Sequence, residues 1–358
     1  MKPVLLFLLI FVFALESWGQ TDSISTKQSV FVVTPIIFRT PETSWGFGVG
    51  GAYNFFWNSD TTRTRPSQII FAATYTLEDQ ILIHFPFQLF LRQNQLWLEG
   101  ELGLYRYVYP YFGIGNETQL ENREVFESTF PRVQLSGVYA LRKNFYAGLS
   151  YKFDDFSISK RAQGGLLEQN QPLGYKGALI SELAIRGVWD SRDNIYYPRK
   201  GSFITLDVFG SGSILGSTYR YRGAFLDAAK YYSIAKNHII AGHIQWGRQD
   251  GNVPFFQLLS LGGPEFHRGY ILGRYRDQRM ALLQLAYRFP LFWRFKMETF
   301  TSYGGVSDSA FIPLGEGHWS AGLGLRFLVD VENGLHLRID YARGADQTGI
   351  YITIGEAF

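Results

Sequence analysis

The chain has 358 residues, a net charge of +3, 18% charged and 17% aromatic residues, 38 glycines and no cysteine. The missing cysteines exclude a disulfide framework and thiol-ligated metal sites, and the weak charge with no Lys/Arg run excludes a nucleic-acid surface. Many Tyr and Phe in a chain of balanced polarity suit a membrane β-barrel, whose strands are half apolar and half polar.

Residues 1–19 read as a secretory signal. Lys2 precedes the apolar run "PVLLFLLIFVFAL", and Ser17 and Gly19 supply small residues before a cut at Gln20. The run is shorter than the ~20 apolar residues a spanning helix needs. Residues 20–29 are then a short periplasmic segment, and the barrel is expected over 30–358.

From Ser29 onward the pattern has period two. In "WGFGVGGAYNFFW", Trp45, Phe47, Val49, Tyr53, Phe55 and Trp57 share one face, and Gly46, Gly48, Gly50, Ala52 and Asn54 the other. Such alternation marks strands with one apolar and one polar face. About sixteen strands are expected, an even number as in bacterial barrels. They fall near 30–39, 45–57, 67–78, 80–91, 95–108, 124–141, 144–158 and 176–191, and then near 201–211, 217–234, 237–249, 280–293, 294–308, 318–330, 333–345 and 349–358. The tight turns "RQN", "RKN", "AKN" and "VEN" alternate with long loops at 109–123, 159–175, 250–279 and 309–317. That rhythm puts the turns on the periplasmic side and the loops outside. Lumen-facing charges are expected at Glu182, Arg186, Arg220, Arg222, Arg326 and Asp330. Asp154 and Asp155 are expected at a loop edge facing water.

In the turn "WDSRDNIYYPRKGS", Asn194, Pro198 and Gly201 are turn residues. Asp190, Arg192 and Asp193 can pair there and fix a broad periplasmic turn. The loop "GGPEFHRGY" is built like core, with paired glycines, aromatics and one arginine. The last strand, "GIYITIGEAF", puts Ile350, Ile352, Ile354 and Phe358 on the outward face.

Four stretches, in order, resemble the BamA/TamA surface-antigen superfamily of outer-membrane barrels. "TPIIFRTPETSWGFGVG" is similar to the barrel start of short members. "WDSRDNIYYPRKGS" resembles their D-x-R-D-N…P-x-x-G-S segment. "LLSLGGPEFHRGY" resembles their G-G…R-G-aromatic loop, and "SAGLGLRF…NGLHLRIDYA" their final strands. The resemblance covers essentially the whole chain after the signal and implies a short form without periplasmic polypeptide-transport-associated domains. It implies an all-β, transmembrane antiparallel barrel with an extracellular loop folded into the lumen. Gly262, Gly263, Arg268, Gly269 and Tyr270 would carry the loop motif, and Phe358 resembles the terminal signal by which such barrels are recognised for insertion. Where members place acids that meet the loop arginine, this chain has Ala286 and Ser302. Glu298 and Asp340 have lumen parity, so Arg268 is expected to pair with one of them or to bond Ser302, with Arg326 a further candidate beside the loop.

The expected role is a non-enzymatic outer-membrane barrel, a subunit or accessory in placing protein or lipid; the alternative is a plugged or gated pore. No G-x-S-x-G or H-E-x-x-H motif appears. No metal, cofactor or nucleic acid is expected. The partners expected are outer-membrane lipids, lipopolysaccharide and phospholipid, and other outer-membrane or periplasmic proteins of a Gram-negative cell. A weak first-to-last seam would accompany the placement role.

Overall fold

Alternating sequence becomes antiparallel strand along the chain. In a computed structural model the described residues are 30–57, 64–309, 316–331 and 334–358. The expected signal and linker, 1–29, lie outside them. The first strands are β1 (Val30–Thr40), β2 (Ser44–Phe55), β3 (Ser67–Thr76), β4 (Ile81–Leu91), β5 (Leu96–Tyr111) and β6 (Glu124–Arg142). Then come β7 (Phe145–Lys160), β8 (Gly177–Asp190), β9 (Gly201–Ser211), β10 (Tyr221–Ala235) and β11 (His238–Gly251). Two short strands, β12 (Leu259–Leu261) and β13 (Tyr275–Asp277), sit inside the next loop. The chain ends with β14 (Arg279–Pro290), β15 (Phe295–Ser307), β16 (His318–Asp330), β17 (Leu335–Arg343) and β18 (Thr348–Ile354).

All but β12 and β13 form one closed sixteen-stranded antiparallel barrel, in which β11 pairs with β14 across the inserted hairpin. The "RQN", "RKN" and "AKN" turns all lie at the end holding the termini. Asn94, Asn144 and Asn237 sit there at φ +66°, +64° and +63°, a conformation that Asn tolerates better than most residues. The loops at 109–123, 159–175 and 250–279 gather at the other end; residues 310–315 of the fourth expected loop and 332–333 of the "VEN" turn lie outside the described residues. Outward residues are apolar and exposed, among them Ile185, Val208 and Leu149. Inward ones are polar or charged through the middle, with aromatic clusters toward both ends.

The expectations fail at three places. Strand β10 begins at Tyr221, not near 217, because Gly216 turns at φ +80° and Ser217 bonds back to Ser211 at 2.8 Å. Tyr221 and Asp227 then face inward, so Arg222 is on the outer surface, and Arg220 is exposed beside it. Asp154 is buried and takes a two-pronged ion pair from Arg132, at 2.8 and 3.0 Å, while Asp155 is exposed. Strand β18 stops at Ile354. Gly355, at φ +87°, swings the tail into the barrel, so Phe358 does not share the outward face with Ile350 and Ile354. It stacks on His243 at 4.8 Å inside the lumen. The Arg326 side chain also turns from Asp330 to other acids, and Arg186 pairs with Glu99 at 2.9 Å and Asp207 at 3.5 Å.

Candidate functional site

The long loop between β11 and β14 descends into the barrel as the β12–β13 hairpin, and its tip carries "GGPEFHRGY". A buried loop must find partners for its backbone polar groups, and the barrel wall supplies them. Tyr351 Oη accepts from Gly269 N at 3.0 Å, and Gln347 Oε1 from Ile271 N at 3.1 Å. Glu42 Oε1 accepts from Leu272 N at 2.7 Å. Arg338 donates to Pro264 O at 3.2 Å and Gln284 to Glu265 O at 3.1 Å. Gly269 has φ +107°, and a Cβ there would lie 2.8 Å from Ser320 Oγ, so this position needs glycine. Tyr270 is fully buried; its hydroxyl donates to Trp319 O and accepts from Ala345 N, both at 2.9 Å.

Arg268 is the centre of the site. Its Nη1 donates to Glu298 Oε1 at 3.0 Å and to Asp340 Oδ2 at 2.6 Å, and all three side chains are buried. Its guanidinium lies over the Phe300 ring, 3.3 Å from the centroid. Phe300 is the cross-strand neighbour of Ala286, one of the two positions where an acid was missed. The other, Ser302, shares a 2.9 Å hydrogen bond with His267 Nδ1, not with Arg268. Two of the three expected partners therefore hold the arginine together, and the third holds its neighbour.

Glu298 and Asp340 also serve other arginines. Arg288 reaches Glu298 at 2.7 Å and Arg326 reaches it at 2.9 Å. Arg326 also pairs with Asp340, and Arg338 lies 3.4 Å from that carboxylate. Arg326 is thus not a direct partner of the loop arginine; it shares its acids. Glu356, carried inward by the turn at Gly355, joins Arg326 at 3.2 Å and Arg288 at 3.8 Å. Four buried arginines thus share three buried acids, Arg338 meeting only Asp340 and the others two or three each, and burial in a low-dielectric interior requires such pairing.

The expected periplasmic turn closes on itself. Arg192 pairs with Asp190 at 3.0 Å, and Asp190 also takes Arg65 at 3.0 Å. Asn194 Oδ1 accepts from Tyr196 N at 2.7 Å and Tyr197 N at 2.8 Å. Burial pushes the Asp193 carboxyl up, but the N–H groups of Arg199 and Lys200 and the Arg199 side chain outweigh it and hold it below its ordinary value. Pro198 lies within the turn, and Gly201 ends it at φ +104°. This turn is a structural brace. Sequence reading missed Tyr197, which leaves it to pack tilted against His336, ring centroids 4.5 Å apart, with Lys296 Nζ 3.6 Å from its ring centroid. Its only signal was an aromatic pair within a polar turn.

Two further anchors hold the loop at its mouth. Asp346, in the 344–347 turn, pairs with Arg274, whose hydrogen bonds hold its carboxyl below the ordinary range. Glu42, in the 41–43 turn, is pushed up by burial. Glu42 stands in the quoted barrel-start stretch without being singled out there, and Asp346 stands in none of the quoted stretches.

Beside the loop lies the seam. Strands β1 and β18 are registered at Arg39 opposite Ile352 alone among the described residues. By contrast, β5 and β6 pair from Leu96 opposite Tyr139 to Tyr111 opposite Glu124. Arg39 adds one long bond to Ile350 O, 3.5 Å.

The Omp85 superfamily domain matches residues 113–358. No curated protein matches this chain in sequence. Among solved structures, it is similar to BamA from Haemophilus ducreyi lacking POTRA domains 1-3, with TM-score 0.59 and 13% identity over 92% of this chain and 70% of that one. It is also similar to CdiB from Escherichia coli, with TM-score 0.56 and 10% identity over 90% of this chain and 62% of that one. CdiB from Acinetobacter baumannii gives TM-score 0.51 and 12% identity over 90% and 59%. The chain spans less than two thirds of both CdiB chains, and at these identities the likeness is one of fold. With the family match covering more than half of its length, the chain belongs to the Omp85 superfamily.

Proposed function

We propose that this barrel sits in the outer membrane of a Gram-negative cell and helps place protein or lipid there, as a subunit or accessory and without catalysing covalent chemistry. The observation that carries the reading is the seam, held at Arg39 and Ile352 while its neighbours are zipped along their length. A sheet edge with unpaired N–H and C=O groups is a template for another strand, and a seam of this kind opens at low cost. The apolar outer face with its Tyr and Trp residues suits surrounding phospholipid and lipopolysaccharide. The Phe358 aromatic, resembling an insertion signal, would act before folding, since it ends inside the barrel.

The chain has no cysteine, so Arg39→Cys/Ile352→Cys offers a single engineered bridge across the seam. Cells relying on the oxidised variant are expected to show the outer-membrane protein and lipid profile of cells depleted of the protein, with recovery on reduction. A locked barrel that supports a normal outer membrane overturns the reading.

The pore alternative is disfavoured by the filled lumen. The inward loop occupies one side. The remaining cavity, lined by Gln88, Glu99, Gln134, Lys152, Glu182 and Arg186, lies between two aromatic clusters. Tyr111, Phe126, Phe130, Phe156 and Phe255 pack at the loop end, and Phe90, Trp97 and Tyr146 at the end holding the termini.

A further inference from the structure

The misplaced arginines of β10 open a second site, on the outside of the barrel. Arg220, Arg222 and Arg248 are exposed at the loop end of β10 and β11, and Arg279 stands at the start of β14 beside them. One carboxylate stands among the four and serves two of them. Asp250 takes Arg248 at 2.9 Å and Arg279 at 2.7 Å. The side chains of Arg220 and Arg222 have neither hydrogen bond nor ion pair among the described residues. Elsewhere on the same rim Arg106 and Lys160 converge on Glu127, at 3.0 and 3.1 Å, so cations there are held by an acid.

Arg222 lies opposite Asp250 in the ladder, but that carboxylate is already held by Arg248 and Arg279, which face each other; like charges so placed repel, and next to an apolar belt the repulsion is poorly screened. The arrangement therefore calls for an anion from outside the chain. Directly below the arginines the outward face turns apolar, with Val208, Leu206 and Trp246 exposed. Between them a cleft of about 860 Å³ is lined by Leu183, Ile214 and Leu215 together with Arg220 and Arg222. Ile214 is wholly exposed. A surface with cations above and apolar area below has the polarity of a lipid with an anionic head.

We propose that this face binds an anionic lipid carrying phosphomonoester groups, its phosphates on Arg220 and Arg222 and its acyl chains along the cleft and the strand face beneath. Guanidinium groups bind phosphate through paired N–H donors, and cations at a membrane surface gain further from anionic lipid. The proposal rests on the membrane reading above and adds the ligand class and the residues.

The test uses the full-length barrel in phosphatidylcholine vesicles doped with lipid A or with dephosphorylated lipid A. Lipid retained on the protein after mild extraction is measured by native mass spectrometry. Wild type is expected to keep the phosphorylated lipid and not the other. Arg220→Gln/Arg222→Gln is expected to lose on the order of tenfold in retention, each lost charge-assisted contact weakening the hold. Lys230→Gln, which removes an exposed cation elsewhere on β10, is expected to retain it as wild type does. Compact electrophoretic mobility of all three checks folding. Equal retention by the double variant, or equal retention of the dephosphorylated lipid, overturns the proposal and leaves the membrane reading standing. A barrel that enters no vesicle of either composition overturns the membrane reading, and the proposal with it.

Discussion

Arg268 is a full positive charge with no exposed surface on its side chain, and it is tolerated because Glu298 and Asp340 both meet it. Without it Glu298 and Asp340 keep Arg288, Arg326 and Arg338, so the loss falls below the roughly 3–5 kcal/mol of breaking an isolated buried pair and is mainly the loop's tie to the wall. Arg268→Ala is therefore expected to lower the temperature at which the barrel loses its compact electrophoretic mobility. Arg268→Lys recovers only part of that loss, because an ammonium cannot reproduce the planar fork that lies over Phe300. If the alanine variant melts with wild type, Arg268 does not hold the loop. This part of the site was legible in advance, since the family resemblance implied that Arg268 enters the lumen and period-two parity placed Glu298 and Asp340 on the lumen wall. Glu356 was not legible, because parity says nothing once Gly355 has turned the chain. The His267–Ser302 bond was hidden for another reason. It depends on how deep the loop descends, and spacing along a loop does not encode depth.

At the scale of elements, the sixteen barrel strands could be read because each buries one face and wets the other over seven residues or more. The β12–β13 hairpin could not be read, since three residues per strand carry too little alternation. The start of β10 was misplaced because polar residues before Tyr221 mimic the wet face of a strand; that error sent Arg220 and Arg222 to the wrong side. The loop itself is an element with a pH-dependent clasp. Asp346 is held below its ordinary value by Arg274, so its contribution is present above the unfolded carboxyl value and is lost as pH falls through the folded one. Glu42 runs the other way. Burial raises it, so its contribution is present at low pH and is lost as pH rises through its raised value. Below the unfolded aspartate value, about 4, the Asp346 contribution alone is lost. A nitroxide on Leu272→Cys, at the half-exposed shoulder of the loop, is expected to become more mobile as pH drops through that range. With Asp346→Asn added, the label is expected to be mobile throughout and insensitive to the drop. A label that stays immobile in both proteins shows that the Arg274–Asp346 pair is not a clasp.

At the scale of the whole molecule the question is whether the closed barrel passes ions through its lumen or works at its edge. Sixteen strands enclose space enough for an aqueous channel, so the strand count favours neither. The fillings decide. One side of the lumen is taken by the loop and by the tail that ends in Phe358. The other side keeps a cavity, but aromatic clusters stand at both of its ends. Charge compensation adds to the blockage, since Arg186 is spent on Glu99 and Asp207 and offers no ladder for a permeating anion. The wild-type barrel in a planar bilayer is therefore expected to show little or no steady conductance. Arg268→Ala, which loosens the loop while leaving its other anchors and both aromatic clusters in place, is expected to give at most brief irregular openings and no stable step. Steady, uniform steps from the wild-type protein would place the activity in the lumen and remove the reason for assigning it to the seam. If the wild type is silent and the oxidised Arg39→Cys/Ile352→Cys barrel also fails in cells, the two results point to the same edge, because the lock changes the seam and leaves the lumen as it was.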